Sequence, residues 1–87
     1  MFVDASAIVA ILTCEPKADA LVDVLDGAAS PITSPIALFE ATLGVCRKRR
    51  ASVAEAFGDV RDFLAAAGVQ YRLTDLLSAQ AAAGLLP

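Results

Sequence analysis

Histidine is missing from all 87 residues. That removes the commonest general base and the usual zinc sites, so any catalysis must rest on carboxylates, hydroxyls or a carboxylate-bound metal. Cysteine is scarce. Cys14 and Cys46 form neither a CxxC pair nor a disulfide ladder, which fits a reducing cytoplasm, and both read as reduced packing residues. Long apolar runs are missing too. Stretches such as Ala7 to Leu12 fall far short of the roughly 20 residues a membrane-spanning helix needs. No basic leader with a small-residue cleavage site precedes them, so no secretory signal is expected. Repeats and low-complexity segments are absent, and no Gly-rich phosphate loop follows any predicted strand.

What remains suits one small domain. Hydrophobic residues make up 57% of the chain, enough for an ordinary core, although this length is near the lower limit for a self-sufficient one and leaves room for help from a partner. The formal net charge is −3, yet four of the seven basic residues are consecutive: Arg47, Lys48, Arg49 and Arg50. The overall balance does not suit a nucleic-acid binder. The block itself is either a solvated helix end or a local contact for phosphate.

The pattern along the chain alternates strands with helices. Phe2-Val3 reads as a short strand ending at Asp4, and Ser6 to Leu12 as a helix apolar on every side and hence buried. Pro16 fits the first position of a second helix, with Leu21, Val22 and Leu25 on its inner face and Gly27 as a left-handed cap. "SPITSP" holds a short β-like run around Ile32, and Ser34-Pro35 reads as the cap and first residue of a third helix reaching about Arg50. Ser52 and Glu55 have capping-box spacing. They open a fourth helix whose core positions are Val53, Ala56, Phe57, Val60, Leu64 and Ala67, ended by Gly68. Val69 to Leu73 alternates as a half-buried strand does, and Thr74 caps a last helix running towards Leu86. This order predicts an α/β domain with a parallel sheet, three strands and about five helices.

Two acids stand out. Ligands of such sheets bind beyond the carboxyl ends of the strands, where Asp4 stands. Asp4 could cap the following helix, join an ion pair, or hold a metal; Ser6 could cap in its place. On the third helix Ile36, Phe39, Leu43 and Cys46 form an apolar stripe, and Glu40 projects from it towards the core. Arg47 lies on the same face and is the obvious ion-pair partner. The alternative turns Glu40 into a cleft beside Asp4, where two carboxylates begin a site for a hard cation such as Mg²⁺ or Mn²⁺. The acids at 19, 23, 26, 55, 59 and 62 lie on polar helix faces, and Asp75 in a first helical turn.

The stretches "FVDASAIVAIL", "EP" and "ITSPIALFEA" resemble the amino-terminal part of PIN-domain proteins, particularly the VapC-type ribonuclease toxins of toxin–antitoxin pairs. The resemblance implies an incomplete PIN-like three-layer α/β/α fold and a Mg²⁺- or Mn²⁺-dependent endoribonuclease that hydrolyses RNA phosphodiester bonds. Asp4 and Glu40 then look like metal-binding catalytic acids, Ser6 like the hydroxyl that supports the first of them, and Thr33 or Ser34 like residues shaping the cleft. Arg47 to Arg50 would guide RNA. A cognate antitoxin and a second copy of the chain are the implied protein partners.

PIN domains carry two further acids in a later segment, whereas this sequence stops at "AAAGLLP". Residues 1–87 are therefore expected to form a single truncated PIN-like domain: a fragment, a natural short relative, or one completed by another subunit. Two carboxylates hold few of a cation's ligand positions, so catalysis is expected to be impaired. The competing expectation is a non-catalytic PIN-like module that binds an antitoxin or its own copy. A phosphate-handling α/β domain using the basic block ranks last.

Overall fold

The computed structural model describes residues 1–71. They form four helices, α1 (Ala5–Leu12), α2 (Ala18–Asp26), α3 (Pro35–Arg49) and α4 (Val53–Ala66). Most helix ends follow from local chemistry. Ser34 accepts the Ala37 N–H at 3.0 Å, with Pro35 directly after it at the head of α3. Ser52 accepts the Glu55 N–H at 3.1 Å and donates its hydroxyl to the Glu55 carboxylate at 3.2 Å. Gly68 closes α4 at φ 70°, a left-handed position glycine adopts without strain. The Gly68 N–H then reaches the Ala65 carbonyl and the Val69 N–H reaches that of Leu64, both bonds of a Schellman motif.

The α2 boundaries differ from expectation. Pro16 does not open the helix; it sits in a turn in which the Ala18 N–H returns to the Glu15 carbonyl at 2.9 Å. Gly27 is right-handed, at φ −82°, so α2 ends without the left-handed cap.

The expected α/β class with a parallel sheet is not what the described residues form. Among the described residues there are only isolated parallel bridges, Phe2 with Ile32 and Ile32 with Gln70, and the structure is helical. The register is clear. The Val3 N–H donates to the Ile32 carbonyl, and the Ile32 N–H to that of Met1. On the other side the Thr33 N–H donates to the Gln70 carbonyl, and the Gln70 N–H to that of Pro31. Helix caps explain why pairing stops at the first two segments. Asp4 and Ser34 are N-caps, so the extended runs at Phe2 and Ile32 each reach a cap two residues after the bridge. The last two residues of the third expected strand, and the whole fifth helix, lie outside the described residues.

α1 touches all three other helices, α3 packs against α1 and α4, and α2 touches only α1. The core joins Val3, Ile8 of α1, Leu25 of α2, Leu38 and Val45 of α3, Val60 and Leu64 of α4, and Val69. Each fully buried aliphatic contributes about 1.5–3 kcal/mol. The inner face of α3 is not the expected stripe. Its buried residues are Ala37, Leu38, Ala41, Thr42, Gly44 and Val45, while Ile36 is 69% exposed. Small residues let α3 approach two neighbours closely, and that need outweighs the burial of its larger side chains. A Cβ added to Gly44 would lie 2.7 Å from Val9 Cγ2. Nor is α1 buried on every side, since Ser6 is exposed and Ile11 and Leu12 are half-buried.

Candidate functional site

Asp4 follows the bridged segment directly and caps α1 in an extended conformation. Its Oδ1 accepts both the Ala7 N–H and the Ser6 hydroxyl, each at 2.9 Å. Among the described residues no donor reaches Oδ2. The carboxyl is held below its ordinary value, first by the Ala7 N–H and then by the Ser6 hydroxyl; slight burial opposes them, and the Lys17 charge reinforces them. Asp4 is thus an ionised, exposed carboxylate with one oxygen committed to the helix and one open.

Glu40 is exposed on α3, not turned into the core as its place beside the apolar stripe suggested. The rotation of the α3 inner face towards Leu38, Ala41 and Val45 accounts for this. Among the described residues Glu40 forms no ion pair; the salt bridges are Lys48 with Glu15 and Arg49 with Asp59. Arg47, the expected partner, shares a cleft with Glu40 but not an ion pair.

That cleft, about 560 Å³, opens between α1 and α3. Ser6, Glu15, Lys17, Glu40, Arg47 and Lys48 give its polar lining, with Gly44 and Val9 at its floor. Asp4 lines a smaller apolar groove of about 190 Å³ with Phe2, Ile11 and Leu21. Ser6 connects the two, since its hydroxyl bonds Asp4 while its residue borders the cleft that holds Glu40.

The remaining candidates have defined partners. Thr33 is buried and donates its hydroxyl to the Val3 carbonyl at 2.7 Å, locking two extended segments together. Ser34 caps α3. Within the basic block Lys48 pairs with Glu15, and Arg49 bridges the Leu12 carbonyl and Asp59, at 3.2 Å from the latter. Arg50 ends α3 at φ 54°. Sequence reasoning missed Glu15 and Lys17 as cleft residues. The Lys48 bond is the main reason the Glu15 carboxyl lies below its ordinary value, and no local pattern announces a pairing across that sequence distance. Cys14, expected to pack, is exposed at φ 55° in the turn after α1.

The sequence matches the family model of the PIN domain over residues 1–84. The chain belongs to the PIN-domain family. No curated protein and no solved structure matches it. A PIN domain is in general a nuclease-type fold that engages RNA or protein, and PIN domains generally depend on divalent metals. Among the described residues of this PIN domain, no helix is long and apolar enough to cross a membrane.

The oxygen donors fit a hard cation in kind. Asp4 offers an open, ionised oxygen and Glu40 an exposed carboxylate without an ion pair among the described residues. They do not amount to a full ligand set, because no group of three or more His, Cys, Asp or Glu stands together among the described residues.

Proposed function

We propose that this PIN domain is a ribonuclease of the VapC toxin type, acting on RNA phosphodiester bonds. The observation that carries the reading is the open oxygen of Asp4, joined through Ser6 to the cleft that Glu40 lines. Asp4 and Glu40 would hold Mg²⁺ or Mn²⁺. When bound, the ion supplies charge stabilisation at the phosphate and a more acidic water. Ser6 fixes the Asp4 carboxylate by donating to Oδ1, which leaves Oδ2 free for a ligand. The helix cap and the metal ligand are then one side chain using different oxygens. Among the described residues only these two acids are in place, and two carboxylates hold such an ion weakly, so low activity is expected.

Cleavage of a labelled single-stranded RNA, with and without Mg²⁺ or Mn²⁺, tests this. Weak cleavage that needs the cation and disappears in Asp4→Asn supports it. Cation-independent cleavage, or equal cleavage by Asp4→Asn, contradicts it.

A second reading, a non-catalytic module that binds an antitoxin or its own copy, draws on a different observation. Phe2, Val24, Ile32 and Ile36 are large apolar side chains at least 49% exposed. Complete lack of cation-dependent cleavage, with a concentration-dependent mass in solution, would favour it.

A further inference from the structure

The four consecutive basic residues do not share one environment. Lys48 is neutralised by Glu15, and Arg49 is held between the Leu12 carbonyl and Asp59. Arg50 terminates the helix outside the cleft. Arg47 alone of the four lines the cleft without an ion pair among the described residues. A second cation joins it there from another element: Lys17, at the start of α2, is exposed, borders the same cleft and likewise forms no ion pair among the described residues. With the Lys48–Glu15 pair cancelled, Lys17 and Arg47 outnumber Glu40 among the side chains that line the cleft, and Asp4, joined to it through Ser6 and within reach of the Lys17 charge, brings the wider site to balance. Two unpaired cations from different helices, facing one groove beside a carboxylate, suit an anion that spans the groove.

We infer that Lys17 and Arg47 bind the backbone phosphates of single-stranded RNA in this cleft, and that Lys48 and Arg49 instead hold the helices together. The inference rests on the RNA reading of the site but not on the cation. Arg47 offers a planar fork to a phosphate oxygen pair, and Lys17 a mobile point charge. Glu40 repels the same ligand until its charge is offset.

The test is binding of a fluorescein-labelled single-stranded oligouridylate to the full 87-residue chain in EDTA, by anisotropy over a series of salt concentrations. Removing one cation that neutralises a phosphate flattens the log–log salt plot by about 0.7 for a single strand. Lys17→Ala and Arg47→Ala are each expected to flatten it by that amount. Arg47→Lys restores part of the affinity, and Glu40→Gln tightens binding. Lys48→Ala and Arg49→Ala lower the thermal midpoint and leave the slope unchanged. An unchanged slope in both Lys17→Ala and Arg47→Ala, with circular dichroism showing a native fold, overturns the inference. So does an equal effect from every member of the block, which would mark a diffuse basic patch. Failure of cation binding at Asp4 and Glu40 would leave these results untouched, so the two readings fall separately.

Discussion

Replacing Gly44 by alanine sets two known effects against each other. Within a helix, Gly→Ala is favourable by about 0.8–1.0 kcal/mol because the unfolded chain loses freedom and helix propensity rises. At Gly44 the new methyl would lie 2.7 Å from Val9 Cγ2, well inside contact distance. Val9 is β-branched and strongly prefers one rotamer in a helix, so it cannot swing aside without strain. Overpacking of this kind costs about 1–3 kcal/mol. The clash therefore wins, by about 1 kcal/mol net. Gly58, on α4, is the internal control, since a Cβ there meets nothing within 4 Å. Gly58→Ala should stabilise by nearly the full propensity gain. Urea denaturation followed by circular dichroism measures both. A third variant, Val9→Ala with Gly44→Ala, should lose less than the sum of the single changes, because the clash disappears with the valine. If Gly44→Ala stabilises the protein as much as Gly58→Ala does, the close α1–α3 approach beneath the cleft is wrong.

Three further outcomes are expected. Thr33→Val removes the hydroxyl that satisfies the Val3 carbonyl in a buried site and should cost about 1–3 kcal/mol in urea unfolding. Arg50 is held at φ 54°, so Arg50→Gly should stabilise by a few tenths to about 1 kcal/mol and leave RNA affinity at the cleft unchanged. Asp4 has a folded-state pKa below its ordinary value of 3.8, so its contribution is complete above that value and disappears as the pH falls through the folded one. The thermal midpoints of wild type and Asp4→Asn should consequently converge in acid and separate as the pH rises past about 4.

Local features of this chain were legible in its sequence, and long-range ones were not. Ser34-Pro35, Ser52 with Glu55, and Gly68 are read correctly because each acts on backbone groups within a few residues. Asp4 as a cap belongs to the same class. The inner face of α3 escaped because the stripe of large residues, Ile36, Phe39 and Leu43, points to a different side from the small residues that let two helices approach. Hydrophobic size suggests burial, but contact on two sides is decided by Ala41, Gly44 and their neighbours. The sheet failed for a related reason. Phe2-Val3 and the run around Ile32 have strand-like composition, yet capping by Asp4 and Ser34 ends the extended backbone after one bridged residue. At the site, the sequence pointed to Asp4, Ser6 and Glu40. It did not point to Glu15 or Lys17, whose places depend on how α1, the following turn and α3 meet.

The proposed chemistry requires Asp4 and Glu40 to act on a single ion. Isothermal titration of Mn²⁺ into wild type, Asp4→Asn, Glu40→Gln and the double variant measures that coupling directly. The expected result is weak binding by wild type, with either single change abolishing as much of it as both together. Equal affinity in all four proteins, or effects that simply add, would show that the two carboxylates do not share a cation.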